Sequence, residues 1–267
     1  MGAIGIVKET LDIIKNKQYI VNDVVVALPQ EAYEMVEVYS PEKGVELLDW
    51  DMSVAQREKQ CEVSVVNEDS FQAARRFSNP FVMNFANAHT PGGGFLLGAN
   101  AQEEALCRCS TLYASISSEA ASKMYKYNNT HISNVESDYM LLSPQVFVFR
   151  DEKYSFLEEP VKVSVITIPA PNRFGAAMFA SGQKIKETMI RRIRIMLRIA
   201  AQKGYINLVL GAWGCGAFGN DANAVAGYFK QVLVDEGYGR CFEHVCFAVY
   251  GKQDGRNINA FRKVWNK

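Results

Sequence analysis

The sequence has no surplus of either charge: Lys+Arg and Asp+Glu both number 29 among 267 residues. A polyanion-binding surface normally shows up as a basic excess, so no DNA-specific binding is expected and any phosphate recognition must be local. No apolar run is long enough to span a bilayer, which argues against a membrane partner. Histidine is sparse, with His89, His131 and His244 far apart, and the six cysteines do not fall at metal-binding spacings. Cys107 and Cys109 stand two apart in a predicted helix and therefore point away from each other. No metal and no cofactor is called for. Met1-Gly2-Ala3-Ile4 does not read as a signal peptide, so the thiols are expected to be reduced and the protein cytosolic or nuclear. Neither glycine-rich loop has the GxxxxGK[ST] form of a P-loop.

What is present is an ordinary globular composition, 48% hydrophobic and 22% charged, in a chain long enough for a large core. One α/β domain is expected, with about residues 1–60 as an N-terminal extension packed on it. Helical pattern is read over Ile4–Asn16 and strand over Asp23–Leu28; Asp51–Gln60 is a polar arm or helix, and strands follow at Glu62–Val66 and Phe81–Phe85. Asn67-Glu68-Asp69-Ser70 supplies a turn and an N-cap for a helix over Phe71–Phe77. Asn100–Ile116 reads as one helix, with Asn100 and Glu103 spaced as a capping box. Glu119–Leu142, rich in Tyr, Asn and Ser, reads as a long surface excursion, and strands return at Gln145–Phe149 and Val161–Ile168. Ser181–Ala200 is a clear amphipathic helix stopped by Gly204. Its Lys184, Lys186, Arg191, Arg192, Arg194 and Arg198 read as a solvated face. Tyr205–Leu210 is a strand, Asn220 or Asp221 caps a helix to about Leu233, and a strand over His244–Tyr250 and a short helix end the chain.

Two strand–loop–helix units stand out. In the first, Asn84 to Arg108, three consecutive glycines (Gly92, Gly93, Gly94) precede Gln102-Glu103-Glu104. Three glycines permit positive φ and close backbone approach at an entropic cost that a plain turn does not require. The second runs Gly211 to Gly219. A glycine loop between a strand and a helix N-terminus is an anion site, and two of them at strand carboxyl ends flank one crevice. A diphosphate bridging two nucleosides fits. A carboxyl group in such a cleft can protonate a leaving oxygen and then activate water, as cleavage of a glycosidic bond through an oxocarbenium-like transition state requires.

Gly92-Gly93-Gly94, seven residues and then Gln102-Glu103-Glu104 resembles the GGG-x(6–8)-QEE signature of poly(ADP-ribose) glycohydrolases. NFANAHTPGGG and AQEEALCR resemble the shorter, bacterial-type branch, as do SPQVFVFRD (143–151), TIPAPN (167–172) and GAWGCGAFGND (211–221), in the expected order. The resemblance implies a macrodomain-like fold, a mixed and mostly parallel sheet sandwiched between helices. It also implies hydrolysis of the ribose–ribose O-glycosidic bond of an ADP-ribose polymer, or of ADP-ribosylated protein. Glu104 matches the catalytic acid/base and Glu103 its catalytic neighbour that contacts the ribose hydroxyls. Asn87 matches the residue that orients that ribose, and Gly92, Gly93, Gly94 and Gln102 belong to the same substrate-binding stretch. Gly214, Cys215, Gly216, Ala217 and Phe218 match the diphosphate loop, with Phe218 packing beside the ribose. Asp69 and Ser70 match an adenine-contacting loop, although the branch more often has Thr after Glu. Two further readings stay open: a mono(ADP-ribosyl) hydrolase, and a non-catalytic ADP-ribose-binding macrodomain, against which the intact Glu pair argues.

Overall fold

The structure is a computed structural model and describes residues 2–29 and 33–265. β1 (Gln18–Val21) and β2 (Val24–Ala27) form a separate antiparallel hairpin. Its two-residue turn, Asn22-Asp23, has positive φ at both positions, the conformation that matches strand twist. The other strands are β3 (Glu37–Tyr39), β4 (Glu62–Val66), β5 (Phe81–Ala86), β6 (Met140–Arg150), β7 (Phe156–Pro169), β8 (Asn207–Leu210) and β9 (His244–Ala248). They make one seven-stranded sheet in the order β3-β6-β7-β5-β8-β9-β4. Pairing is parallel from β7 through β4 and antiparallel at β3–β6 and β6–β7. The sheet is therefore mixed and mostly parallel.

Helices cover both faces. α1 (Ala3–Asn16), α3 (Ser70–Ala74), α4 (Gln102–Cys109) and α5 (Leu112–Ile116) pack on one through Val7, Phe71, Leu106 and Leu112. α2 (Pro41–Leu48), α7 (Gly182–Gln202), α8 (Ala222–Lys230) and α9 (Arg256–Trp265) pack on the other through Leu47, Met189, Phe229 and Phe261. Along β5 the alternation is plain: Phe81 and Met83 join the α7–α8 layer and Val82 the α4 layer. Asn84, two residues after Val82, thus faces α4.

The described residues among the first 60 are woven into this body. Thr10 Oγ1 of α1 donates to the Arg108 carbonyl at the end of α4 (3.0 Å), β3 forms the sheet edge, and α2 packs on α7. Among the described residues no helix is long and apolar enough to cross a membrane, and no group of three or more His, Cys, Asp or Glu is placed to hold a metal ion.

Four sequence expectations are corrected. Glu119–Leu142 is not an excursion: it contains α6 (Ser122–Thr130), and Ala121, Met124, Tyr125 and Asn128 are buried at helical spacing. The poor helix formers Tyr, Asn and Ser masked that period. Asn100–Ile116 is two helices, because Ser110 leaves α4 to bridge Val148 before α5 starts. The cap lies one residue later than expected: Ala101 is the N-cap and Glu104, not Glu103, reaches back to its N–H (3.2 Å). Alanine has no side chain to return the bond, so only half of a capping box exists.

The fourth correction concerns the basic face of α7. Arg192 is fully buried and donates to Asp138 Oδ1 (2.9 Å), the Pro169 carbonyl (2.9 Å) and the Val135 carbonyl (2.6 Å). Arg191 also binds Asp138, Arg194 forms a two-pronged pair with Glu236, and the Arg198 guanidinium lies 4.7 Å from the Tyr238 ring centre. Of the six, Lys184 and Lys186 are exposed. The planar guanidinium fork suits such internal carbonyl and carboxylate bonding, and hydrophobic periodicity says nothing about it.

Candidate active site

β5 ends at Ala86, and Asn87 turns the chain by accepting the His89 and Thr90 N–H groups on its Oδ1 (2.8 and 3.0 Å). Gly92 and Gly93 take φ of +68° and +56°, a region open to glycine at little cost, and the chain tightens into a 3₁₀ turn before α4 begins. The first three residues of α4 then turn back onto the strand and the loop they came from.

Gln102 uses its whole amide inside the protein. Its Oε1 accepts the Phe85 N–H (2.9 Å), and its Nε2 donates to the Met83 carbonyl (2.8 Å) and Ser70 Oγ (3.1 Å). It therefore pins α4 to β5 and to α3 as a positioning residue. Glu103, 3% exposed, accepts the Asn87 N–H on Oε2 (2.7 Å) and Asn84 Nδ2 on Oε1 (3.1 Å). Burial pushes its carboxyl up to about 8; hydrogen bonds from Asn87 and Asn84 oppose the shift, while the Glu104 charge adds to it. Glu104, 8% exposed, accepts the Gly94 N–H on Oε1 (2.9 Å) and the Ala101 N–H on Oε2 (3.2 Å). A Cβ on Gly93 would lie 2.6 Å from Glu104 Oε1, and one on Gly94 2.6 Å from Ala99 Cβ. The two glycines make room first of all for the protein's own carboxylate and loop.

Two residues of this unit escaped the sequence reading. Asn84 and Thr167 are fully buried on neighbouring strands, and Asn84 Nδ2 donates to both Glu103 and Thr167 Oγ1 (3.2 Å). The signal was an asparagine inside the apolar run Phe81–Ala86; a buried amide needs a partner, and here the partner is a catalytic candidate.

The second loop leaves β8, the strand beside β5, so both loops open on the same sheet edge. Gly214 and Gly219 have φ of +71° and +69°. Buried Asn220 holds the loop by donating to the Pro171 and Gly214 carbonyls (2.9 and 3.1 Å). Gly216 and Ala217 are exposed, and a Cβ on Gly216 would meet nothing within 4 Å. Phe218 is half-buried against the core. Burial pushes the Cys215 thiol up to about 12, which disfavours its thiolate form.

A cleft of about 420 Å³ lies beside these elements, lined by Asp69, Ser70, Phe85, Gln102, Gly216 and Tyr250 among others; Asn87, Gly92–Gly94, Glu103 and Glu104 are not part of its lining. Asp69 caps α3, accepting the Phe71 and Gln72 N–H groups on Oδ1 (2.8 and 3.0 Å), while its Oδ2 is buried without a partner. Glu103, Glu104, Asn87 and Gly92–Gly94 thus form one hydrogen-bonded unit. Gln102 links it to Ser70, and Asp69, Ser70, Gln102 and Gly216 share the cleft. The size and the few convergent polar groups suit a nucleotide-sized ligand.

Comparison with known proteins gives the same direction. The family model for the microbial-type PARG catalytic domain matches residues 7–151. No curated protein sequence matches the chain. Among solved structures, poly(ADP-ribose) glycohydrolase from Thermomonospora curvata is 36% identical with a TM-score of 0.90, and the match covers 98% of each chain. The same enzyme bound to the inhibitor ADP-HPD matches at 36% identity and a TM-score of 0.88, again over 98% of each chain. The enzyme from Deinococcus radiodurans in complex with ADP-ribose matches at 38% identity and a TM-score of 0.82, over 90% of this chain and 99% of that one. With that identity held across nearly the whole fold, and with paired carboxylates under the glycine loop, the chain belongs to the microbial-type poly(ADP-ribose) glycohydrolases, hydrolases of glycosyl bonds.

Proposed function

We propose that this chain cuts the ribose–ribose O-glycosidic bond of poly(ADP-ribose) and releases ADP-ribose, with Glu104 as general acid and then general base. The observation that carries the reading is the buried Glu103–Glu104 pair on the first turn of α4, held by amides of the strand end and of the glycine loop. Glu104 gives its proton to the departing ribose oxygen as the C–O bond breaks. The ribose left behind is an oxocarbenium-like cation, and water adds to it as Glu104 takes the water proton back. Burial raises the Glu103 carboxyl and so favours its protonated form, which can both donate to and accept from a ribose hydroxyl.

The distal nucleotide lies in the cleft on this reading. Its adenine points toward Asp69 and Ser70, where the unpartnered Asp69 Oδ2 suits an exocyclic amine. Its diphosphate lies along Gly214, Cys215, Gly216, Ala217 and Phe218, whose exposed backbone around Gly216 allows close approach. Asn87 and Phe218 hold the ribose under attack. The whole chain acts as one catalytic unit that includes residues 1–60. Six free cysteines favour an intracellular setting, cytosolic or nuclear.

The test is time-resolved release of ADP-ribose from polymer and from mono-modified acceptor, wild type beside Glu104→Gln. The variant should lose roughly two or more decades of turnover and keep ADP-ribose binding. Full activity in the variant sinks the mechanism. Cleavage of mono-modified acceptor alone replaces the substrate, and wild-type binding without release leaves a reader.

A further inference from the structure

The bond that a polymer hydrolase cuts joins the terminal ribose to the adenosine ribose of the next unit. The leaving group therefore carries a purine one sugar away from the scissile oxygen. Outside the cleft, the segment after β7 exposes aromatic surface next to the candidate site. Phe174 is 76% exposed and Phe179 85%, and Met178 between them is exposed as well.

This segment is built, not loose. The Arg173 N–H donates to the Phe218 carbonyl (3.0 Å), the Phe174 N–H to Asn172 Oδ1 (3.0 Å), and Asn220 Nδ2 to the Pro171 carbonyl (2.9 Å). β5 lies between β7 and β8, so the two loops meet across the end of the strand that leads to the catalytic pair. The Phe174 ring packs on Gly219, where a Cβ would come within 2.6 Å of it, and leaves its remaining surface to solvent. Phe174 thus extends the wall that Phe218 and Gly219 begin, away from Asp69 and Ser70. Arg173, the preceding residue, is exposed, and its Nε donates to Asn220 Oδ1 (3.4 Å), which leaves its terminal nitrogens available.

We propose that Phe174 is a stacking platform for the adenine of the leaving ADP-ribose unit, with Arg173 available to its diphosphate; this rests on the polymer-hydrolase reading above. An exposed ring face with an adjacent guanidinium is the chemistry that holds unpaired bases on a negatively charged backbone. The platform gives the enzyme a grip on polymer that free ADP-ribose does not use.

The experiment compares kcat/KM on free and on protein-attached polymer with the dissociation constant for ADP-ribose in wild type, Phe174→Ala, Phe174→Leu and Phe174→Trp. Alanine and leucine should each lower kcat/KM on polymer about tenfold, mainly through KM, because base stacking is lost in both. Tryptophan should restore it, and ADP-ribose affinity should stay within about twofold throughout. Leucine separates the ring face from mere apolar packing on Gly219. Unchanged polymer kinetics in Phe174→Ala overturns the platform. So does a parallel loss of ADP-ribose affinity, which would make the ring a prop for the diphosphate loop, and so does a loss confined to protein-attached polymer, which would make it an acceptor contact. A wild type that releases nothing from polymer brings down the functional reading itself, and the platform with it.

Discussion

The two glycine-rich loops look alike in sequence, each following a parallel strand and preceding a helix, yet only the second keeps a glycine, Gly216, that faces open space. In the first, Gly93 and Gly94 have no room for a Cβ because Glu104 and Ala99 of the protein itself press against them. The Gly94 amide points at Glu104. In the second, Gly216 has open space where its Cβ would be and Ala217 is exposed, while Gly214 and Gly219 turn the chain at positive φ. The first loop closes on a carboxylate, and the second leaves Gly216 and Ala217 open to solvent. Glycine density therefore marks close approach without saying what approaches.

Gly93→Ala is the strongest way to break that comparison. It would strain a backbone at φ +56° and push the Glu104 carboxylate from its place. Turnover should fall by about a hundredfold or more, since small misplacement of a reacting group is that costly, with the melting temperature changed by only a few degrees. Wild-type turnover in this variant would show that the loop does not position Glu104.

A pH series sharpens the contrast between the acids beside each loop. Glu103 is raised from 4.5 to about 8, chiefly by burial, whereas the half-buried Asp221, which caps α8, is held below its ordinary range by the Ala224 N–H. Between those two Glu103 values the folded chain keeps a proton that the unfolded chain has lost, so stability falls as pH rises through the window. Asp221 works the other way, its small contribution present above its ordinary range and lost only in acid. The wild-type melting midpoint should drop from about pH 5 to about pH 8, and Glu103→Gln should flatten the drop. Parallel curves would mean that Glu103 is ionised in the folded state.

Gly216→Ala should have the smallest effect. Its Cβ meets open space, so the fold should be unchanged, while ADP-ribose affinity falls about fivefold if a backbone contact is lost. Wild-type affinity would take the second loop out of the diphosphate site.

Much of the site was legible in the residues. Gly92–Gly94 with Gln102-Glu103-Glu104 sat between a strand and a helix, and Asn67-Glu68-Asp69-Ser70 was readable as a turn with an N-cap, which the structure assigns to Asp69. The job of Gln102 was not. It looked like part of a binding triplet, but its partners Ser70, Met83 and Phe85 lie 17 to 32 residues away in sequence. Asn84 was passed over because an apolar strand pattern treats one amide as noise. Arg192 was read as surface because helical periodicity sorts residues by face and cannot register a carbonyl such as Pro169, 23 residues away, that receives a buried guanidinium.

The sequence by itself determined the strands and helices that flank the site, the two glycine loops and the adjacent carboxylates, because these rest on contacts within a few residues and on side-chain period, while β1, β3, α2 and α6 were not read from it. Only the tertiary structure decided that β7 and β8 flank β5, bringing the segments after Pro169 and Leu210 together across its end. It alone decided which glycines face protein and which face solvent. Those outcomes depend on strand pairing and hydrogen bonds between distant residues, and local propensity carries no term for either.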